Sequence, residues 1–161
     1  MTPRIELSKA GAHAFQAMLA LQAQVDNSSL EPPLHMLIEL RASQINGCAY
    51  CIDMHSKDAR AAGETEQRLY ALDAWRETPF YSRRERAALA WTEAVTLIAD
   101  DHVSDAAFAE AREVFSEQEL VDLTLGVVAI NGWNRLCIAF RAVPGIYQPT
   151  PKLRHAPMQA A

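Results

Sequence analysis

Little in this chain points to nucleic acid, to a membrane or to an oxidising compartment. Its 15 lysines and arginines are outnumbered by 20 acidic residues, leaving a net charge of −5. No basic stripe is available to neutralise phosphates. No apolar run approaches the roughly 18 residues that a membrane span needs. The polar opening MTPRIELSKAGAHAF, mixed in charge, does not read as a signal peptide. Six glycines and eight prolines in 161 residues exclude collagenous and largely disordered classes. Three cysteines are too few, and of the wrong parity, for a secreted disulfide framework. These absences predict one cytoplasmic domain over residues 1–161, without nucleic-acid or membrane partners. A chain of this length buries roughly 70% of its unfolded surface, so neither disulfides nor a structural metal are required for a core.

What is present is helical. Phe15, Met18, Gln22 and Val25 repeat at amphipathic spacing and predict a helix from Ser8 to about Val25. Pro32-Pro33 opens a second helix running to about Gln44, because proline needs no N–H at a helix start. A third covers Cys48 to Ala62 and stops at Gly63, suited to a left-handed terminus. Thr65 caps a fourth reaching Trp75. Ser82 and Glu85 form a capping box for a fifth ending near Ile98. Ser104 caps a sixth, and Ser116 with Glu119 opens a seventh from Glu117 to Trp133, followed by a turn or two between Arg135 and Arg141. The stretch Leu120–Ile130 is apolar nearly all round, which places it in the middle of a bundle or in a subunit interface, with Gly126 permitting a close approach. The tail 148–161 carries three prolines and reads as extended unless a partner subunit holds it. No segment shows sustained strand alternation. The predicted fold is all-α, a single-domain bundle of about seven helices.

Two of the cysteines form Cys48-Ala49-Tyr50-Cys51, with His55 four residues on. At about 100° per residue, Cys51 lies roughly 60° around the helix from Cys48, and His55 about 20° from Cys48, so the three share one face. Cys48 stands at a helix start, where free N–H groups and the helix dipole favour a thiolate. His55 is placed to exchange a proton with Cys51. An ordinary cysteine is roughly 3% thiolate at pH 7, and lowering its pKa to about 7 raises that to about half. Thiols helped in this way suit attack on a peroxide or a disulfide. Zinc is the competing use of the same residues: Cys48, Cys51 and His55 would be three ligands, with His102 or Cys137 as a fourth.

The stretch from Glu39 through Ile45-Asn46-Gly47-Cys48-Ala49-Tyr50-Cys51 to His55 resembles the core motif of the AhpD-like alkylhydroperoxidases, of the carboxymuconolactone decarboxylase superfamily. Lys57–Gly63, the Ser82–Ile98 helix and Ile130–Arg135 extend the resemblance over most of residues 30–145. It implies an all-helical homo-oligomer, trimer or hexamer, that reduces hydrogen peroxide or small organic hydroperoxides without a metal or organic cofactor. Cys51 would be the peroxidatic thiol, Cys48 its resolving partner, and His55 part of a proton relay. An external dithiol, a lipoyl protein in the prototype, would regenerate the pair. The sequence departs from the pattern in two places. The family's relay glutamate lies twelve residues before the first cysteine, where Met36 stands here, and Glu39 is the nearest carboxylate, one turn later. Tyr50 occupies the position of a histidine in the prototype and is a further relay candidate. Two other readings of the same chain are a non-enzymatic thiol redox sensor and a cofactor-free enzyme like the superfamily's namesake.

Outside the motif, His35 reads as a surface residue, Cys137 as a small core residue, and Arg83, Arg84, Arg135 and Arg141 as surface ion-pair partners.

Overall fold

The computed structural model describes residues 1–149. The tail expected to be extended therefore lies outside the described residues, except for Gln148 and Pro149. Among the described residues there are nine α-helices, one 3-10 segment and no strand. They are α1 (Leu7–Ala10), α2 (Ala12–Asp26), α3 (Pro32–Asn46), α4 (Ala49–Ala62), α5 (Glu66–Ala71), the 3-10 segment Leu72–Glu77, α6 (Arg83–Thr96), α7 (Ile98–Asp101), α8 (Asp105–Arg112) and α9 (Glu117–Phe140).

Helix starts follow their caps. Ser82 and Ser116 each complete a reciprocal capping box, with Glu85 and Glu119. Thr65 and Ser104 accept single N–H groups from Arg68 and Ala107. Gly47 and Gly63 end α3 and α4 in left-handed conformations, at φ 67° and 103°. The expected helices are present, and local breaks subdivide three of them. Gly11 (φ −124°, ψ 42°) separates α1 from α2. Leu97 (φ −94°, ψ 32°) parts α6 from α7. Past Ala71 the fourth helix tightens to 3-10 geometry and is kinked at Ala74. In the opposite direction, the stop expected near Trp133 does not occur. No Gly or Pro follows before Arg141 takes φ 58°, so α9 runs 24 residues and absorbs the final turn.

α3 lies at the centre and packs on α4, α6 and α9. Its Leu34 and Ile38 join Trp91 of α6, Phe115, and Leu123 and Val127 of α9. Its Leu37 and Leu40 join Ala59 of α4 with Leu69, Leu72, Trp75 and Leu89. Each large side chain so enclosed contributes about 1.5–3 kcal/mol. Gly126 is where α9 crosses α3 and α2: a Cβ there would stand 3.1 Å from Ile38 Cδ1 and 3.7 Å from Val25 Cγ1. The close approach is made by side chains. α9 is also long and apolar enough, by composition, to cross a membrane, although the sequence showed no continuous run of that length. It packs instead against α2, α3, α4, α6 and α8 within the bundle. This arrangement brings the start of α4 and the C-terminal half of α9 to one end of α3.

Candidate active site

The left-handed turn at Gly47 reverses the chain between α3 and α4 and leaves Cys48 as the N-cap of α4. Cys51 then falls in the first turn of α4 and His55 in its second. Cys48 and Cys51 are each only 1% exposed, and their sulfurs share a hydrogen bond at 2.8 Å. A third sulfur joins them from α9: Cys48, Cys51 and Cys137 Sγ all lie within 4.8 Å of one another. Cys137 is half-buried.

A polar shelf from α3 and α9 backs Cys48. Asn46 Nδ2 donates to Asn134 Oδ1 (2.8 Å) and Asn131 Oδ1 (3.0 Å), and Asn134 Nδ2 donates to Ser43 Oγ (3.0 Å). Asn134 is fully buried. Hydrogen bonds from Cys137 and Cys51, with help from Asn134 and the Cys51 N–H, hold the Cys48 thiol far below its ordinary value. Hydrogen bonds from Cys137 and Cys48, with burial, push the Cys51 thiol up, and the contact with Cys48 and burial raise Cys137 against an opposing contact with Cys51. In the reduced cluster these contacts favour a thiolate on Cys48 over one on either other sulfur.

One turn beyond Cys51, His55 of α4 meets Glu39 of α3, with 3.4 Å between Nδ1 and Oε2. Gln22 of α2 donates to Glu39 Oε1 (3.1 Å) and accepts from Trp133 Nε1 of α9 (3.1 Å), so the carboxylate is oriented by a chain through three helices. Burial raises Glu39 to about 7 against the hydrogen bond from Gln22, and burial lowers His55 to about 4. At neutral pH the contact is between a neutral imidazole and a carboxyl near its midpoint, so it is not an ion pair. Over the outer face of α4 the chain after α9 is strapped down: Gly145 N and Lys57 Nζ donate to Asp53 Oδ2, Lys57 also to Tyr147 O, and Tyr147 Oη to Asp58 Oδ1 (2.7 Å).

Residues 12–94, half of the chain, match the carboxymuconolactone decarboxylase family. The uncharacterised protein YdfG of Bacillus subtilis is 43% identical over 86% of this chain and 95% of its own length. The chain belongs to the carboxymuconolactone decarboxylase family. Among solved structures, ATU0492 of Agrobacterium tumefaciens, a protein of unknown function linked by its description to AhpD antioxidant defence, superposes with a TM-score of 0.88. It is 44% identical, covering 91% of this chain and all of that one. The debrominase Bmp8 shares the fold, with a TM-score of 0.75, at 22% identity over 84% of this chain and 74% of its own. The AhpD-like, all-helical identification made from the motif is thereby shown.

Within this carboxymuconolactone decarboxylase fold, Cys48, Cys51, His55 and Glu39 are brought together. Tyr50 is half-buried, and its hydroxyl makes no hydrogen bond among the described residues; burial, followed by the nearby Cys137 and Cys51, raises its pKa. Three readings from sequence need correction. Cys137 is part of the sulfur cluster, because α9 continues past Trp133. His35 is buried beneath the α2–α3 turn, with Nε2 3.1 Å from Ser28 Oγ. The zinc alternative changes in composition: the sulfurs converge without His55, and His102 is an exposed loop residue. Sulfurs 2.8 Å apart are also closer than the roughly 3.8 Å edge of a tetrahedral zinc–thiolate site. Arg83 and Arg84 pair with Glu113, Glu31 and Glu119 as expected, whereas Arg135 instead holds Asn131. Gln22, Asn134 and Cys137 were missed as site residues. The available signal was the i, i+3, i+6 spacing of Asn131, Asn134 and Cys137 along one helix face.

Proposed function

We propose that the protein is a thiol peroxidase that reduces hydrogen peroxide or small organic hydroperoxides through Cys48 and Cys51. The observation that carries this reading is a pair of sulfurs 2.8 Å apart, enclosed beside a buried Glu39–His55 pair whose carboxyl titrates near neutrality. The family membership and the likeness to ATU0492 support it.

Hydrogen bonds from Cys137 and Cys48, together with burial, push the Cys51 thiol up, so a base is needed before it can attack. Glu39, through His55, takes that proton. The Cys51 sulfur attacks the distal peroxide oxygen, the O–O bond breaks, and the departing alkoxide or hydroxide receives the proton back. The product is Cys51 sulfenic acid. Cys48 then attacks the Cys51 sulfur, the hydroxyl leaves as water with a proton drawn from solvent, and a Cys48–Cys51 disulfide forms. One peroxide has been reduced by two electrons and one thiol pair oxidised. An external dithiol of the lipoyl type closes the cycle. The enclosed sulfurs favour small oxidants. Two shallow surface hollows, one at Arg83, Arg86 and Glu113 and one at Arg76, Leu97 and Asp101, are lined by none of the site residues.

Rapid mixing of reduced protein with cumene hydroperoxide and with hydrogen peroxide tests this reading. Loss of two thiols per chain with formation of a disulfide supports it, and an unchanged thiol titre ends it. In Cys48→Ser the sulfenic acid is expected on Cys51; faster trapping on Cys48 in Cys51→Ser would exchange their roles. The same enclosure of the thiols favours a second reading, a redox sensor. Stoichiometric oxidation without turnover in the presence of a dithiol recycler would establish it in place of the enzyme.

A further inference from the structure

The cycle above leaves one sulfur of the cluster without a task. Cys137 lies one turn beyond Asn134 on α9, with its Sγ within 4.8 Å of both other sulfurs. Access distinguishes the three: Cys48 and Cys51 are enclosed, while Cys137 is half-buried. A disulfide between Cys48 and Cys51 closes inside the bundle, where a dithiol carried on another protein has no direct line to either sulfur, and exchange rates depend on access. A third sulfur within 4.8 Å of both, on a residue that is only half-buried, supplies that line.

We propose that Cys137 is a relay thiol, which takes the disulfide over from Cys48 and presents it to the external dithiol. The Cys137 sulfur, having released its proton to water, attacks Cys51 Sγ. A Cys51–Cys137 bond forms, the Cys48–Cys51 bond breaks, and the electron pair leaves on Cys48. Cys48 is the better leaving group because it caps the N-terminus of α4 beside the buried Asn134. One disulfide replaces another, so no oxidant or reductant is consumed. The external dithiol then attacks Cys137 Sγ, and Cys51 departs with the electron pair and takes up one of the reductant's protons. The second reductant sulfur breaks the mixed disulfide. Cys137 is released as a thiol with the other proton, and the reductant leaves as its disulfide.

The relay depends on the peroxidase reading only for the source of the first disulfide, and a two-armed oxidation separates them. Reduced full-length protein is treated with one equivalent of hydrogen peroxide in one arm and with diamide, which oxidises thiol pairs without a peroxide, in the other. Acid quenching, alkylation with N-ethylmaleimide and trypsin digestion follow. In both arms residues 42–57, carrying Cys48 and Cys51, are expected cross-linked to residues 136–141, carrying Cys137, in about a tenth or more of the oxidised chains. Cross-linking by diamide in a chain inert to peroxide supports the relay and removes the peroxidase. Full alkylation of Cys137 in every oxidised chain overturns the relay. In a second measurement, oxidised protein is reduced by thioredoxin, a protein dithiol, and by a small phosphine. The ratio of the two rates is expected to fall about tenfold or more in Cys137→Ser and Cys137→Ala. An unchanged ratio in both variants overturns the proposal, and the mapping itself needs no variant.

Discussion

Burial sets Glu39 and His55 against the charges they would carry in water. The carboxyl is raised to about 7 and the imidazole lowered to about 4, both chiefly by desolvation. Near neutrality the imidazole keeps only its one ring N–H, and the proton that titrates is on Glu39. The groups around this carboxyl are His55, Gln22, His35, Asp26 and Asp58, and the hydrogen bond from Gln22 only partly offsets the loss of water. The base therefore becomes available as pH rises. The rate of thiol loss to peroxide is expected to climb through about pH 7 and level off above it. Glu39→Gln should flatten that limb and slow the reaction by about 10²-fold. A stopped-flow pH series checks both, and a wild-type profile flat from pH 5 to 8 refutes the relay. The same residue lowers stability. Both folded and unfolded chains hold the Glu39 proton below about 4.5, where its contribution to stability is complete. That contribution is lost as pH rises through the folded value of about 7. Gln mimics the protonated form, so Glu39→Gln is expected to match wild type near pH 4. By pH 8 it should be more stable, by up to about 3 kcal/mol. Calorimetry at the two pH values measures the difference, and no gain at pH 8 would show that the carboxylate is not desolvated.

At the scale of the element, α9 does more chemistry than its apolar sequence advertises. Its Asn131, Asn134 and Cys137 present amides and a sulfur to the start of α4, while Trp133 reaches Gln22 on the other side. Asn134→Ala removes one acceptor of Asn46, which keeps Asn131 Oδ1 and Ala42 O, and the donor to Ser43 Oγ, which keeps Glu39 O; the loss is expected to cost about 1 kcal/mol or more. It should also raise the Cys48 pKa, seen as a later rise of thiolate absorbance near 240 nm on titration; an unmoved titration would take Asn134 out of the sulfur's environment. Helix starts were legible in the sequence because caps are local: Ser82 with Glu85, Ser116 with Glu119, and Thr65 each act within three residues. The Cys48–Cys51–His55 face was legible for the same reason, since one helix carries it. Glu39 required the motif as a guide, because its partners come from α2 and α4. Cys137 and Asn134 were lost when α9 was ended near Trp133, which broke the register aligning them. Gln22 looked like one more position on an amphipathic helix. Its role depends on Trp133, 111 residues away, and no local pattern encodes such a pairing.

For the whole molecule, the same long helix divides its faces between core, sulfur site and solvent. Val121, Leu125 and Val128 recur at i, i+4 and i+7 along its outer side, with Val121 67% and Val128 50% exposed. A charged or polar residue at Val121 or Val128 would cost the bundle little. Apolar residues at all three fit a face covered by another copy of the chain, where each fully buried valine contributes about 1.5 kcal/mol or more. The family resemblance points to a trimer or hexamer, and light scattering is expected to return a multiple of 17.8 kDa. Val128→Glu keeps a good helix former at the site but places a charge in the centre of the stripe, where burying it without a partner costs several kcal/mol. That variant should run as smaller species with its helical circular dichroism unchanged. A wild-type mass of one chain would dismiss the assembly. An unaltered mass for Val128→Glu would place the contact elsewhere on the surface, because a stripe buried between copies could not accept the charge.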